Sequence, residues 1–203
     1  MNRFVEIKNL EKTYYCHGLF KRSRTAVKAV DRVSLGIDKK SVYGLVGESG
    51  CGKTSLVRSV LYLDPPTAGE VWLDNTLLGG LKPTELRAFR RRMQIVFQDP
   101  NSALNPKMNI QDCLEEGLVN RGIDAGRRKE LVNRTLDLVG ISPSHSSRYP
   151  HEFSGGQKQR IVIARALCME PDFLVLDEPV SNLDVSIQAQ IINLLQDLKT
   201  ELD

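Results

Sequence analysis

The residues best suited to chemistry form a glycine-rich stretch, GESGCGKT, that runs from Gly47 to Thr54. Its spacing is G-x-x-x-x-G-K-[ST], and it lies between an apolar run and a segment with helical periodicity. Glycines let a backbone wrap an anion with its N–H groups pointing inward, and a helix start adds partial positive charge. We therefore expect Lys53 to reach the β- and γ-phosphates of a nucleotide and the Thr54 hydroxyl to bind Mg²⁺.

The whole loop is expected to line the nucleotide, through Gly47, Glu48, Ser49, Gly50, Cys51, Gly52, Lys53, Thr54 and Ser55. The alternative is a glycine-rich turn with a chance lysine, which the flanking strand and helix patterns disfavour. A helix start can favour the thiolate of Cys51, but the interpretation we prefer is a small residue that fits the loop.

An acidic pair ends the apolar run FLVL, at Asp177 and Glu178. A strand of this kind is typical of a parallel sheet and delivers its last side chains to the sheet edge where a phosphate loop also emerges. Asp177 can hold Mg²⁺ directly or through water. Glu178 is placed to polarise an attacking water as a general base. The alternative is the start of a solvated loop.

A second phosphate-facing stretch, FSGGQKQR, runs from Phe153 to Arg160. The Ser154 hydroxyl and the Gly155 and Gly156 amides could close the side of the γ-phosphate that Lys53 leaves open. Self-closure within one chain is awkward because the two loops belong to different subdomains. Two copies arranged head to tail solve this, with ATP between them, and hydrolysis then loosens the pair.

The elements that must position these residues follow an α/β order with a helical insertion at about 99–167. A strand is expected before the phosphate loop, in SVYGLVG, and another in DFLVLDE, buried on both faces of a parallel sheet. The helix after the loop should bury one stripe, and so should the last helix. These stripes are Leu56, Val60 and Leu63, and Ile187, Ile191, Leu194 and Leu198.

Composition narrows the class of protein. The chain has 203 residues, 41% of them hydrophobic, which suffices for a buried core. Its net charge of +3 does not by itself indicate a nucleic-acid partner. It has no apolar run of about 18 residues and no secretory signal pattern, so we expect a cytosolic chain that meets a membrane only through a partner. Its four cysteines form no C-x-x-C pair, which argues against zinc and against a disulfide framework.

These motifs together resemble an ABC-type ATPase, and more closely the ATP-binding subunits of oligopeptide, dipeptide and nickel importers. GESGCGKT resembles the Walker A loop, FSGGQ the ABC signature, FLVLDE Walker B, FQDP the Q-loop and SNLD the D-loop. The longer runs FQDPNSALNPKM and LDEPVSNLDVSIQAQI resemble the peptide and nickel branch. The likeness covers essentially the whole chain.

The resemblance implies a P-loop NTPase fold with a RecA-like core and mixed sheet at about 1–98 and 168–203. A helical signature subdomain would occupy about 99–167. It also implies roles for further residues. Tyr14, with Tyr15 as the alternative, would stack on adenine, and Gln98 would contact Mg²⁺ or water and sense the membrane partner. The contacts made across the dimer would come from Ser154, Gly155, Gly156, Gln157 and Asp184.

The resemblance also implies partners: a second identical or related ATP-binding subunit, integral-membrane permease subunits and, indirectly, an extracytoplasmic solute-binding protein. The chain would then be peripheral on the cytoplasmic face of the cell membrane. No nucleic acid is expected as a partner. The transported solute is not encoded in these motifs.

The chain departs from the family pattern at Phe153, where many relatives have leucine, and at Asn182 in the D-loop. It also stops at Asp203, before the strand and switch histidine of the family, and the C-terminal region is missing too. We expect a fragment that binds nucleotide and hydrolyses it poorly.

Other classes of phosphate-loop protein fit this sequence less well. A GTPase would need an N-K-x-D guanine reader, which the sequence lacks. A chromosome or DNA-repair ATPase would have a long coiled coil between the two loops, where this chain has about a hundred residues without sustained heptads. A non-hydrolysing module that dimerises around ATP stays open.

Overall fold

The computed structural model describes residues 3–17, 24–181 and 183–202, and Asn182 lies outside them. The chain divides into two compact units, Met1–Arg90 and Arg91–Asp203. The finer division into a core at about 1–98 and 168–203 and a helical subdomain at about 99–167 stays a prediction. Within the described ranges, no helix is both long and apolar enough to span a bilayer.

The first unit is built on an antiparallel sheet with strand order β2-β1-β3-β4. Its long strands pair along most of their length and bury one face, where Val5, Ile7 and Leu10 are at most 2% exposed. The strands and helices of this unit are β1 (Arg3–His17), β2 (Arg24–Asp38), α1 (Lys53–Val60), β3 (Ala68–Leu73), β4 (Thr76–Leu77) and α2 (Pro83–Arg90).

The second unit joins a parallel strand pair to a helical core. Its helices begin with side-chain caps where the sequence offers Asn or Asp: Asn109 accepts from the Asp112 N–H and Asp124 from the Arg127 N–H. The elements are β5 (Met93–Val96), α3 (Pro100–Ala103), α4 (Ile110–Asn120), α5 (Ala125–Leu138), α6 (Gly155–Leu167), β6 (Phe173–Leu176) and α7 (Val185–Leu202).

Three expectations about these elements were wrong. Residues 41–48 form no strand, and Val42 and Val46 are 75% and 94% exposed. A strand needs a neighbouring strand for its backbone hydrogen bonds, and an apolar pattern alone does not provide one. Strand β6 is half-buried along its length rather than buried on both faces, since it pairs only with β5 among the described residues. Helix α1 ends at Val60, which leaves Leu63 48% exposed and off its stripe.

The last helix follows its predicted stripe more closely. Ile191, Leu194 and Leu198 of α7 are buried, and Ile187 is half-buried beside them. The 3.6-residue period of α7 therefore identified the face that packs on the helical core.

Candidate functional site

The phosphate loop has the backbone shape that its glycines allow. Gly50 and Gly52 adopt φ angles of 79° and 101°, in the left-handed region. A Cβ on Gly52 would lie 2.1 Å from the carbonyl oxygen of Ala29 in β2, so no other residue fits there without moving the backbone. Residues 47–51 are exposed, and α1 begins directly after Gly52. The loop is therefore an accessible turn that is fixed against the sheet at its helical end.

The lysine of this loop folds back over the loop itself. The Lys53 ammonium donates to the carbonyl oxygens of Gly47 and Glu48, each at 2.8 Å. Thr54 is the second residue of α1 and is exposed, and Ser55 follows it half-buried. The positive charge of Lys53 is thus held at the loop, next to the N-terminus of α1, where a phosphate would gain from both.

The residues at positions 47 and 51 of the loop restrict each other's size. Cys51 is exposed, and its Sγ would lie 2.7 Å from a Cβ placed on Gly47. The glycine at 47 therefore leaves the space that the Cys51 side chain occupies. Between them, Glu48 accepts a backbone bond from the Cys51 N–H at 3.3 Å, which closes the turn around Ser49 and Gly50.

The second unit brings several predicted residues together at the carboxyl ends of its two strands. The Asp177 N–H donates to the Val96 carbonyl at 2.9 Å, so Asp177 continues the ladder just beyond β6. Gln98 stands two residues after Val96 on the neighbouring chain segment, and Glu178 follows Asp177. Two carboxylates and one amide therefore share one end of this strand pair.

A serine that sequence reasoning missed links this group. The Gln98 side-chain amide donates to the Ser181 hydroxyl oxygen at 2.9 Å, and that hydroxyl donates to the Glu178 carbonyl at 3.1 Å. Glu178 itself has a φ angle of 48°, which is costly for a residue with a Cβ. Ser181 stands in the SNLD stretch, but its hydrogen-bond partner Gln98 is 83 residues away in sequence, so no local signal could reveal the bond.

The signature stretch is the capped start of helix α6. The Ser154 hydroxyl accepts from the Gln157 N–H at 3.4 Å, and the Gln157 side chain accepts from the Ser154 N–H at 3.0 Å. A Cβ on Gly156 would come within 2.6 Å of Ile187 Cγ2, whereas one on Gly155 would make an ordinary 3.6 Å contact with Leu183. Phe153, just before the cap, is 6% exposed and joins the helical core.

Asp184 directly precedes the last helix, α7. Its backbone carbonyl accepts from the N–H groups of Ile187 and Gln188, both at 2.9 Å, and its side chain lies in an exposed position. Asn182, the departure noted in this loop, lies outside the described residues.

The two tyrosines proposed for adenine differ in environment. Tyr14 of β1 is half-buried, and its hydroxyl donates to Asp64 Oδ2 at 2.9 Å. The Lys12 ammonium lies 5.2 Å from the centre of the Tyr14 ring and also bonds to Asp64. Tyr15 is 58% exposed. Sequence reasoning missed Lys12 and Asp64; the only local signal was the spacing of Lys12 and Tyr14, which places both on one face of a strand.

The predicted residues therefore fall into two groups, each described within its own unit. The first unit holds Tyr14 and the phosphate loop, and the second holds the strand-end group, the signature helix start and Asp184.

The chain is similar to known proteins over most of its length. A family model described as "ABC transporter" matches residues 30–181, well over half of the chain. The chain belongs to the ABC transporter family.

Curated relatives in this family include a protein named "Putative peptide import ATP-binding protein" of Brucella ovis, which is 52% identical over 98% of this chain and 61% of its own length. The oligopeptide transport ATP-binding protein OppF of Streptococcus mutans is 46% identical, over 98% of this chain and 64% of its own length. OppF of Bacillus subtilis is 45% identical, again over 98% of this chain and 64% of the relative. The chain thus spans less than two thirds of these relatives.

Solved ABC cassettes share the fold. The structure of cbiO1 from Clostridium perfringens, part of the ABC transporter complex cbiONQ, matches with a TM-score of 0.86 and 27% identity over 100% of this chain and 76% of that one. A dimeric post-hydrolysis structure of the ATP-binding cassette MJ0796, bound to ADP and Pi, matches with a TM-score of 0.81 and 31% identity over 97% of this chain and 83% of that one. The expected fold, a mixed α/β P-loop NTPase of the ABC type, is confirmed.

Proposed function

We propose that this chain is the ATP-binding and ATP-hydrolysing part of a subunit that drives an ABC importer for peptides, nickel or a related small solute. The observation that carries the proposal is the phosphate loop, in which Gly52 is locked against β2 and Lys53 is held over the loop at the start of α1. The names of the relatives, all peptide-import or oligopeptide-transport ATP-binding proteins, support peptides as the cargo class.

In this proposal the phosphate loop holds the triphosphate of ATP. The loop amides and the N-terminus of α1 face the phosphates, and Lys53 exchanges its bonds to the loop carbonyls for bonds to the β- and γ-phosphates. Tyr14 supplies the ring that stacks on adenine. The loop backbone contacts come from Gly47, Glu48, Ser49, Gly50, Cys51, Gly52, Lys53, Thr54 and Ser55.

The metal proposed with ATP is Mg²⁺, a hard cation that prefers oxygen ligands, and each residue proposed to hold it carries a side-chain oxygen. Thr54 offers a hydroxyl at an exposed position and Asp177 a carboxylate at a strand end. The Gln98 amide nitrogen bonds to Ser181, and its amide oxygen is the atom type that Mg²⁺ binds. When bound, the ion neutralises charge on the β- and γ-phosphates.

Hydrolysis is assigned to the strand-end group of the second unit. The Glu178 carboxylate accepts a proton from the attacking water, Gln98 orients that water, and Lys53 stabilises charge on the γ-phosphate. The left-handed backbone at Glu178 supports a functional role, because strain of this kind collects at active sites.

The signature helix start is assigned to the ATP held by a second subunit. The Ser154 hydroxyl accepts a backbone proton within the cap and keeps its own proton to donate to a phosphate oxygen. Gly155, Gly156, Gln157 and the N-terminus of α6 complete this anion-facing surface, and Asp184 contacts the partner subunit. ATP then lies between two copies, or between this chain and a related one.

A groove in the second unit supports a permease as the membrane partner. It has a volume of about 520 Å³ and is lined by residues of the segment that follows Gln98, together with Glu116 and Arg165. Arg165 bonds to Glu116 at 2.8 Å and to the Ala103 carbonyl at 2.5 Å, which holds the groove in shape. We propose that a cytoplasmic segment of the permease occupies it, which would place the subunit at the cytoplasmic face of the membrane.

Calorimetry with ATP and Mg²⁺ tests nucleotide binding by the 203-residue chain. Lys53→Ala should abolish ATP binding, whereas Lys82→Ala, at an exposed lysine in the same unit, should leave it unchanged. Failure of the unaltered chain to bind ATP would overturn the proposal.

A second experiment tests the proposed dimer. Glu178→Gln should slow hydrolysis and trap an ATP-bound dimer on size exclusion, and adding Ser154→Ala should weaken that dimer. A Glu178→Gln protein that stays monomeric with ATP and Mg²⁺ would contradict the sandwich.

A further inference from the structure

The tyrosine proposed to meet adenine is fixed to the end of the phosphate-loop helix by a small polar cluster, made of Lys12, Tyr14 and Asp64. The Tyr14 hydroxyl donates to one Asp64 oxygen at 2.9 Å, and the Lys12 ammonium donates to the other. Lys12 also donates to the Pro65 carbonyl at 2.7 Å. One carboxylate thus binds two side chains of β1.

Lys12 is the buried member of this cluster, at 8% exposed, whereas the Asp64 side chain is 37% exposed. A lysine is rarely buried unless its charge is paired. The hydrogen bond from Lys12, with that from Tyr14 in addition, keeps the pKa of the Asp64 carboxyl below its ordinary value, so the carboxylate stays charged and paired.

Asp64 is itself held by the phosphate-loop helix. Beyond the end of α1, the N–H groups of Leu63 and Asp64 both donate to the Arg58 carbonyl, at 2.9 and 3.2 Å. The segment that follows is bonded to β1 as well: the Thr67 N–H donates to the Glu11 carbonyl at 2.8 Å, and the Thr13 N–H donates to the Thr67 hydroxyl at 3.0 Å. The helix that begins at Lys53 is therefore tied through Asp64 to the strand that carries Tyr14.

The sheet register places Tyr14 at a suitable distance from the loop. Gly52 packs on β2 at Ala29, next to Val30, which pairs with Lys12, while Tyr14 pairs with Val27. Two residues along a strand cover about 7 Å, and neighbouring strands lie about 5 Å apart. Tyr14 therefore lies roughly one nucleoside length from the start of the loop helix.

We infer that Asp64 is a positioning residue that orients the Tyr14 ring for an adenine base, and that Lys12 holds Asp64 in place. The inference rests on the proposed function, because it deepens the nucleotide site described above. The hydrogen bond from the Tyr14 hydroxyl to Asp64 fixes the ring in one orientation before the base binds, so less conformational freedom is lost on binding.

The test separates base recognition from phosphate recognition by using two probes on the 203-residue chain, ATP and inorganic tripolyphosphate. Tyr14→Ala should lower ATP affinity about tenfold, in the range of a lost base–aromatic stack, and leave tripolyphosphate affinity unchanged. Asp64→Ala and Tyr14→Phe, which remove the two ends of the same hydrogen bond, should each lower only ATP affinity by about three- to fivefold. The double variant should lose no more than either single one.

A matched control uses the same strand. Glu6→Ala removes another carboxylate that pairs with a lysine of β1, and it should keep the wild-type ratio of ATP to tripolyphosphate affinity. Tyr14→Phe keeps the ring and its packing, so it decides the question even if Asp64→Ala does not fold.

Several results would overturn the inference. They are equal losses for both probes in Asp64→Ala, an unchanged ratio in Tyr14→Phe, and an effect of Asp64→Ala that persists in a Tyr14→Ala background. Lys53→Ala distinguishes failure of this inference from failure of the proposed function. If it abolishes binding of both probes while the Tyr14 and Asp64 variants leave the ratio unchanged, only this inference fails; if it abolishes neither, the proposed function fails.

Discussion

The two glycine loops of this chain are held in shape by different physical means. The phosphate loop depends on left-handed glycines and on one close backbone approach, and it lies exposed with its lysine bonded to loop carbonyls. The signature stretch depends on a reciprocal side-chain cap at the head of a 13-residue helix that packs in the helical core. The first loop is thus shaped by backbone conformation and the second by the helix beneath it.

Substitution of Gly52, the fixed end of the phosphate loop, should lower the stability of the chain more than any other change considered below. Gly52→Ala places a Cβ 2.1 Å from the Ala29 carbonyl oxygen at a φ of 101° and should cost about 3 to 4 kcal/mol of unfolding free energy. Urea unfolding checks this, with Gly80→Ala as the control, because a Cβ on Gly80 meets nothing within 4 Å. Equal stability of the two variants would show that the close approach does not shape the loop.

The next prediction removes support from beneath the signature helix. Ile161 of α6 is fully buried, and Ile161→Ala should cost about 3 kcal/mol through lost contacts and a cavity. Ile192→Ala, at a residue of α7 that is 46% exposed, should cost well under half of that. Similar losses in urea unfolding would mean that α6 is not rooted in a packed core.

A third prediction tests how well the same core excludes water. Burial raises the pKa of the Cys168 thiol to about 11 from an ordinary 9.0, although a hydrogen bond with Thr135 acts in the opposite direction. Because the folded-state pKa is the higher one, this stabilisation is complete below pH 9 and is lost as the pH rises towards 11, by about 2 kcal/mol.

Unfolding free energies measured between pH 8 and pH 11 check the Cys168 prediction. Cys168→Ala should show a smaller alkaline loss than the unaltered chain, and the difference between the two isolates this thiol. Cys51→Ala, at an exposed position, should leave the alkaline loss as it is. Identical pH profiles for the unaltered chain and Cys168→Ala would refute the prediction.

Removal of the serine cap of α6 should have the mildest consequence. Ser154→Ala removes the acceptor for the Gln157 N–H and should cost about 1 kcal/mol of stability. Ser144→Ala, at an exposed serine outside any helix cap of this kind, should change stability by less than about 0.5 kcal/mol. If thermal unfolding shows no difference between these variants, the cap does not hold the signature stretch in shape.

The sequence predicted those features of the molecule that depend on residues close together in the chain. The glycines of the phosphate loop, the helix start at the signature stretch and the acidic pair after β6 each depend on a few neighbouring residues, so their patterns could be read directly. The bonds of Asp64 with Lys12 and Tyr14 span 52 and 50 residues, and that of Gln98 with Ser181 spans 83, so composition and period carried no sign of them.

The wrong expectations have the same origin. An apolar run at residues 41–47 favours a strand, but a strand also needs a neighbour whose N–H and C=O groups match its own, and that neighbour is not encoded in the run. Leu63 fits the helical period of α1, but the helix ends at Val60 and the chain turns through Tyr62 at a φ of 54°. Neither outcome follows from periodicity.

The left-handed backbone at Glu178 affects which residues this position accepts. Glycine adopts a φ of 48° without a steric cost, whereas a residue with a Cβ lowers the stability of the fold by about 1 kcal/mol there. If Glu178 is the general base that we propose, an acid is kept here at a cost in stability, and its exchange for glycine would remove both that cost and the hydrolysis.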